Sequence, residues 1–89
     1  MGSKNEILLD QLIELALKLG IKVREEKISS EESPSSGGLC RLKGEYVLIL
    51  NSQTALEEKI RVIAEAVKTF PLRDIYIRPA VRQWLERSE

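Results

Sequence analysis

The stretch GGLCRLKGEYVLILN, residues 37–51, carries the strongest strand signal in the chain and decides its fold. Its first half alternates apolar and basic side chains, as a strand with two different faces does. Residues 43–44 are Lys-Gly, which predicts a tight turn because glycine adopts positive φ without strain. The second half is apolar almost without interruption, which is typical of a central strand covered on both faces. We therefore predict a hairpin over residues 39–50.

Two segments of different character precede this hairpin. Residues 21–28 alternate, with Ile21 and Val23 on one side, which predicts a half-exposed strand. Residues 29–38 read SSEESPSSGG, and none of these residues can anchor a core. We interpret them as a flexible surface loop, and the alternative is a flap over a site. The strand patterns together predict a three-stranded antiparallel sheet with residues 45–50 in the middle.

Helices are predicted on either side of the strand region. Residues 4–19 have apolar side chains over roughly half of the helix circumference, so this N-terminal helix should touch two surfaces. Residues 79–87 form a short C-terminal helix, which Pro79 opens in the N1 position that proline favours. Just before this last helix, residues 74–77 have the pattern of a short edge strand.

The second helix has the clearest local signals. Residues 54–57, TALE, match a capping box, in which the threonine oxygen accepts the glutamate amide and the glutamate carboxylate accepts the threonine amide. Apolar side chains then recur with the period of one helical face, and Pro71 ends the helix. We predict a long helix over residues 55–69.

The element order predicts a single α+β domain over residues 1–89. If all helices pack on one face of the sheet, Val47 and Ile49 are left on an uncovered face. Either the C-terminal segment wraps under the sheet, or a second subunit covers it. This uncovered face is the main indication in the sequence that the protein is a homo-oligomer, and we expect a dimer.

Charge and composition disfavour several classes of partner. The chain has 14 Lys and Arg residues and 14 Asp and Glu residues, so its zero net charge argues against binding to nucleic acid or a membrane surface. No apolar run is long enough to cross a bilayer, and nothing resembles a secretory signal. The single cysteine cannot form an internal disulfide. We expect a cytoplasmic protein, and its 31% of charged residues resembles the composition of thermophile proteins.

The chain contains no histidine, so it has no imidazole base, no His-ligated metal and no Cys-His or Ser-His pair. We expect no catalytic residue, metal site or cofactor, and the sequence leans against an enzyme. Cys40 is the natural candidate nucleophile, but strand alternation predicts that it faces the core, where cysteines behave as small hydrophobic residues. The alternative is a thiol-dependent site around Cys40, activated by Arg41 or Lys43, with residues 29–38 as its lid.

Arginines near the C terminus form a second candidate binding site. Arg78 and Arg82 are four residues apart around the start of a helix, and a shared face would let them bind a phosphate or a partner's carboxylates. The alternative is that Asp74 and Glu86 neutralise them locally. Trp84, on the same helix, is either a core residue or part of an interface with a partner.

The order of these segments resembles a known family. A helix, LGI with a strand, a polar loop, Gly-Gly, a hairpin ending in Asn51 and a helix reading RVIAEAVKTF look like the minimal zinc-peptidase domains of the ImmA/IrrE type. In that family the hairpin leads into a helix that carries HExxH. Here Glu65 stands at the first histidine, Ala66 at the glutamate and Thr69 at the second histidine, so every catalytic position is lost.

This resemblance covers roughly residues 5–70 and implies a non-catalytic relative that keeps the sheet and the helix as a binding scaffold. The tail IYIRPAVRQWL also resembles a small bacterial family to which no activity is attached. Two functions are therefore open. The first is a non-catalytic cytosolic module that self-associates, or binds another protein, through a sheet edge or through the face of Val47 and Ile49. The second is a thiol-dependent or inactive-peptidase-like ligand site around Cys40.

Overall fold

The computed structural model of the chain describes residues 3–27 and 37–87, which form three helices and one three-stranded sheet. The predicted α+β class is confirmed. In chain order the elements are α1 (Lys4–Lys18), β1 (Ile21–Glu26), β2 (Gly37–Leu42), β3 (Glu45–Asn51), α2 (Leu56–Lys68) and α3 (Pro79–Arg87). None of the helices in the described ranges is long and apolar enough to cross a membrane.

The sheet has the strand order β1-β3-β2, so β3 lies in the middle as predicted. Strands β2 and β3 pair antiparallel through the predicted two-residue turn, where Lys43 has φ of 52° and Gly44 has φ of 82°. Two successive left-handed residues are what a type I′ hairpin turn requires. Strand β1, however, runs parallel to β3, so the prediction of a purely antiparallel sheet is wrong.

The direction of β1 brings its last residue to the end of the sheet at which β2 begins. Strand β1 ends with Glu26 beside Asn51, and β2 begins with Gly37 opposite Leu50, at the same end of the sheet. The link from β1 to β2 therefore has to span only the width of β3, roughly 10 Å for two strand spacings. If β1 ran antiparallel to β3, it would finish at the opposite end of the sheet. The connection to β2 would then also have to run the length of the strands. β1 and β2 thus run antiparallel to each other, on either side of β3.

The helices pack on one face of the sheet. Leu48 and Leu50 of β3 point to this face and are fully buried, and the ring of Tyr46 meets that of Phe70 edge to face at 4.9 Å. From the helices, the buried core includes Leu12, Leu15, Ala16, Ile60, Ile63, Ala64 and Val67. Helix α1 contacts β1, α2 and α3, which confirms that its wide apolar arc touches more than one surface.

The opposite face of the sheet, which we call the open face, carries Val47 and Ile49. No described helix packs against it. The C-terminal helix, one of the two predicted covers, does not cover this face. Instead α3 packs against α1, and its buried residues Val81 and Leu85 join the core on the helix side. Residues 74–77 form turns and irregular backbone rather than the predicted edge strand.

Candidate functional site

Cys40 lies on the open face, where its residue is exposed. The register pairs it with Val47, and Leu42 on the same face is 51% exposed. The prediction that Cys40 faces the core is therefore wrong. Cys40 and Leu42 share one face, as strand alternation predicts, but that face is the one that no described helix covers. Because β2 is also an edge strand, the thiol is open to solvent from two directions.

Arg41 points the other way, towards the helices. Its guanidinium carbon lies 5.3 Å from the centre of the Tyr46 ring, within the range of a cation–π contact. Arg41 therefore cannot activate the thiol of Cys40 from the opposite face of the same strand. Gly37 and Gly38, the last two residues of the predicted lid, belong to β2. The rest of that segment, residues 29–36, lies outside the described residues.

Charged side chains border the apolar residues of the open face. Lys22 Nζ lies 2.9 Å from Glu45 Oε1, and Arg24 pairs with Glu26 along β1. Val47 is only 5% exposed although no described helix covers it, and Ile49 is half-buried. The predicted interface residues Val47 and Ile49 thus share the expected face. Little of their apolar surface is left for a partner.

The two outer edges of the sheet differ strongly in charge. Four of the six residues of β1, IKVREE, are charged, whereas β2, GGLCRL, contains only Arg41. No described strand pairs with the outer side of β2, and its residues from Cys40 to Leu42 are exposed. Because β2 contains two glycines, few side chains hinder a close approach to its backbone. Sequence reasoning identified the strand but not this contrast, which depends on knowing which strands lie at the edges.

A groove separates β2 from α2 on the helix side of the sheet. Its walls include Gly38 and Leu39 of β2, Glu65 and Ala66 of α2, and Thr69 just after α2, around a cavity volume of about 260 Å³. Glu65, Ala66 and Thr69 stand at the motif positions of the resemblance. The hydroxyl of Thr69 donates a 2.7 Å hydrogen bond to the carbonyl of Ala66. Cys40 points to the opposite face of β2, so the thiol and this groove are separate surfaces.

No metal centre is formed by the part of the chain that the structure describes. Among residues 3–27 and 37–87, no group of three or more His, Cys, Asp or Glu side chains lies close enough to hold an ion. In the α2 groove, Glu65 offers the only carboxylate at the three motif positions, and Ala66 and Thr69 offer no acid, base or strong metal ligand.

Of the two arginines proposed as a binding site, Arg78 is paired with a carboxylate of the same chain. The Arg78 guanidinium donates two hydrogen bonds to the Glu14 carboxylate, from Nε at 2.9 Å and from Nη2 at 3.3 Å. This contact lowers the pKa of Glu14 and raises that of Arg78. Arg82 is exposed and has no ion-pair partner among the described residues. The alternative of local neutralisation by Asp74 and Glu86 is not observed for Arg78 either.

Trp84 is half-buried beside a groove between α1 and α3. Its indole borders two neighbouring cavities that also share Asn5, and it packs against the buried core. It is thus partly a core residue and partly a surface residue. The two cations at this groove, Lys4 and Arg87, lie at opposite ends of the chain, so the sequence does not predict that they meet.

No protein-family model, curated protein sequence or solved structure matches this chain.

Proposed function

We propose that this protein is a non-catalytic, self-associating module in which two copies join through the outer edge of β2. The observation that carries the proposal is the charge contrast between the two sheet edges. Edge strands expose unpaired N–H and C=O groups, and charged side chains are the usual protection against pairing with another chain. The β1 edge has this protection, and the β2 edge lacks it.

The backbone geometry of the hairpin identifies the groups available for pairing. In a hairpin with a two-residue turn, the residues that flank the turn form a hydrogen-bonded pair, and such pairs alternate along the strands. Leu42 and Glu45 flank the turn, so Leu42 and Cys40 bond to β3. Leu39 and Arg41 then direct their N–H and C=O groups outwards, away from β3. These two residues offer four backbone groups to an added strand.

A second copy of β2 suits these groups. Antiparallel pairing around a two-fold axis at Cys40 sets Leu39 opposite the partner's Arg41, and the partner's Leu39 opposite Arg41, which completes four hydrogen bonds. The zero net charge of the chain means that two copies do not repel each other at long range. The joined sheet has six strands. The open face contributes less to the proposal, because Val47 is already buried in one copy.

This arrangement gives Cys40 a non-catalytic position in the interface. The two Cys40 residues face each other as a non-hydrogen-bonded pair, with Cα atoms about 4.5 Å apart, inside the range that a disulfide accepts. In the cytosol, where we propose that the protein works, such thiols stay reduced. The pair then serves as a probe of the interface rather than as a redox centre.

Sedimentation of three proteins tests the self-association. Wild type and Arg41→Ala are expected to form dimers, whereas Arg41→Pro is expected to remain monomeric at the same concentration. Proline removes the outward N–H without breaking the β2–β3 ladder, and alanine keeps that N–H while removing the same side chain. Circular dichroism checks that both variants fold. A strictly monomeric wild type across micromolar to millimolar concentrations would reject the proposal.

A thiol crosslink tests the register of the two strands. Mild oxidation is expected to convert the wild-type protein into a disulfide-linked dimer without denaturant. The matched control moves the cysteine to the exposed turn after β3, as Cys40→Ser with Ser52→Cys, and this variant should not form the crosslink at a comparable rate. Equal crosslinking of both proteins would show random collision and contradict the register.

A second candidate function uses the α2 groove. Glu65, Ala66 and Thr69 line this groove beside Leu39, which supports an inactive-peptidase-like site that binds an extended peptide without cleaving it. The peptide would add to the same outer edge of β2. Fluorescence anisotropy of a labelled peptide with alternating Val and Thr tests this function, and sedimentation separates the candidates. A peptide-binding protein is expected to be monomeric without ligand, whereas a self-associating module is dimeric. Saturating peptide that adds to the outer edge of β2 would convert the dimer into monomers.

A further inference from the structure

A groove at one end of the α1–α3 pair has chemistry that the proposed self-association does not use. The two helices run antiparallel, because Glu14 in the C-terminal half of α1 binds Arg78, just before α3. The N terminus of α1 therefore lies beside the C terminus of α3. Lys4 and Arg87, which are 83 positions apart in sequence (87 minus 4), meet at the same groove.

The groove walls come from one stripe of each helix. Residues of α3 that line it are spaced as one helical face, three, four and seven positions after the first. The lining residues are Lys4, Asn5, Leu8, Ala80, Gln83, Trp84 and Arg87, around a cavity volume of about 240 Å³. The interior is thus apolar, with two side-chain amides, and the two cations stand at the end where α1 begins and α3 finishes.

The two cations of the groove form no ion pair within the described part of the chain, and Glu57 lines the adjoining cavity that shares Asn5 and Trp84 with the groove. Neither Lys4 nor Arg87 has an ion-pair partner among the described residues, and no carboxylate lines this cavity. The helix ends themselves nearly cancel, because the positive N terminus of α1 lies beside the negative C terminus of α3. The two side chains therefore supply the positive potential. By contrast, five other cations of the described chain each pair with a carboxylate, namely Lys22, Arg24, Lys59, Arg61 and Arg78.

We infer that this groove binds a small monocarboxylic acid with a short apolar tail. Lys4 and Arg87 hold the carboxylate by charge-assisted hydrogen bonds. The tail lies along Leu8 and Ala80 against the indole of Trp84, where apolar contact removes it from water. The volume is smaller than the roughly 300 Å³ at which typical ligand pockets begin, so the tail is limited to one ring or about six carbons.

Tryptophan fluorescence gives a direct test, since Trp84 is the only tryptophan in the chain. The full-length protein is titrated with hexanoate, 1-hexanol and hexylamine, which share an apolar tail and differ in charge. We expect saturable change with hexanoate and binding at least about tenfold tighter than for the alcohol or the amine. No saturable change with hexanoate up to tens of millimolar, or equal affinity for all three compounds, overturns the inference.

Variants then assign the charge to the two cations. Lys4→Gln with Arg87→Gln is expected to weaken hexanoate binding about tenfold or more, because both partners of the carboxylate are lost. Arg82→Gln is the matched control, since Arg82 is an exposed cation of the same helix that does not line the groove. A double variant that binds hexanoate like wild type overturns the assignment. Chemical-shift changes at Gln83 and Arg87 in the wild-type protein give an independent readout if a variant folds poorly.

Discussion

Arg78 and Glu14 form a two-point ion pair that joins the segment before α3 to α1 across 64 positions of sequence. The guanidinium matches the carboxylate geometry, with both nitrogens within 3.3 Å of an oxygen. Both side chains are nearly half exposed, so solvent screens their attraction. The pair therefore orients α3 against α1 more than it stabilises the fold, and it leaves the groove at the other end of the two helices open.

We predict that the contribution of this pair to stability depends on pH. Its hydrogen bond with Arg78 lowers the pKa of Glu14 below the ordinary value of 4.5. A carboxyl with a lowered pKa in the folded state stabilises that state at pH above the unfolded pKa, and the effect is lost as the pH falls through the folded pKa. Glu14→Gln should thus melt slightly below wild type at pH 7 and level with it at pH 2.

Calorimetric melting of both proteins between pH 7 and pH 2 measures this effect. Salt at about 1 M should shrink the difference at pH 7, because the pair is exposed to screening. Glu6→Gln is an unsuitable comparison because Glu6 caps α1. Asp10→Asn, on the same helix, is the control for the loss of one carboxylate from α1. A difference between wild type and Glu14→Gln that grows towards low pH would contradict the assignment.

Substitution by alanine should change the free energy of unfolding much more at Gly37 than at the adjacent Gly38. A Cβ atom on Gly37 would lie 1.9 Å from the carbonyl oxygen of Ile49, and Gly37 has φ of 124°. At Gly38 a Cβ atom would meet nothing within 4 Å. We expect Gly37→Ala to lower the free energy of unfolding by about 2 kcal/mol or more, and Gly38→Ala to change it by about 0.5 kcal/mol or less. Urea unfolding with equal m-values measures both, and equal losses would show that the backbone at Gly37 is not constrained as described.

The N-terminal caps give another pair of matched substitutions. The hydroxyl of Ser3 accepts the amide of Glu6, and the Glu6 carboxylate accepts the Ser3 amide, so the capping box belongs to α1. Helix α2 begins after Ala55 without a side-chain cap. We therefore expect Ser3→Ala to cost about 1 kcal/mol and Thr54→Ala to cost less than about 0.5 kcal/mol. Thermal melts of the two variants measure these losses. A larger loss for Thr54→Ala than for Ser3→Ala would support the cap predicted at Thr54.

The sequence predicted elements well where the signal is local. The turn at Lys43 and Gly44 depends on two adjacent residues, and Pro79 marks a helix start by its own ring geometry. The direction of β1 depends on where a connection begins and ends in space, which strand alternation does not contain. The capping box predicted at TALE is not formed, whereas the segment SKNE, which matches the same pattern, does cap α1. The chain turns at Asn51, whose carbonyl accepts the amide of Thr54, and this delays the start of α2 by one residue.

The candidate site was less predictable than the fold. Alternation placed Cys40 and Leu42 on one face correctly, but the sequence does not say which face the helices cover. The pairing of Arg78 with Glu14 joins positions with no local relation, whereas proximity in sequence favours Asp74 and Glu86 as partners. Edge positions and the meeting of Lys4 with Arg87 likewise follow from tertiary packing alone.

The thiol of Cys40 should react without unfolding of the protein. Because the residue is exposed on the open face of one copy, a disulfide reagent should titrate one thiol per chain at the rate of an ordinary exposed cysteine, at a protein concentration that keeps the chain monomeric. Cys40→Ser should change the free energy of unfolding by less than about 0.5 kcal/mol. Protection of the thiol until denaturant is added would indicate that it faces a covered surface, either a core or a partner's face.

Neighbouring residues of β3 test whether the sheet is packed on one side only. Leu48 is fully buried against the helices, whereas Ile49 is half-buried on the open face. Truncation of Leu48 to alanine leaves a cavity in the core and should cost about 2–5 kcal/mol. Truncation of Ile49 removes apolar surface that is partly wet and should cost about 1 kcal/mol. Urea unfolding at a protein concentration that keeps the chain monomeric measures the two losses.

The same two substitutions at high protein concentration separate the edge of β2 from the open face as the interface. If copies join through β2, Ile49→Ala should dimerise with the same affinity as wild type, because the Ile49 side chain stays outside the contact. If copies instead pack face to face, Ile49→Ala should also weaken dimerisation, by about 1 kcal/mol or more per copy of the side chain removed. Sedimentation of wild type and Ile49→Ala therefore decides between the two surfaces, with Arg41→Pro as the reference for loss of the edge.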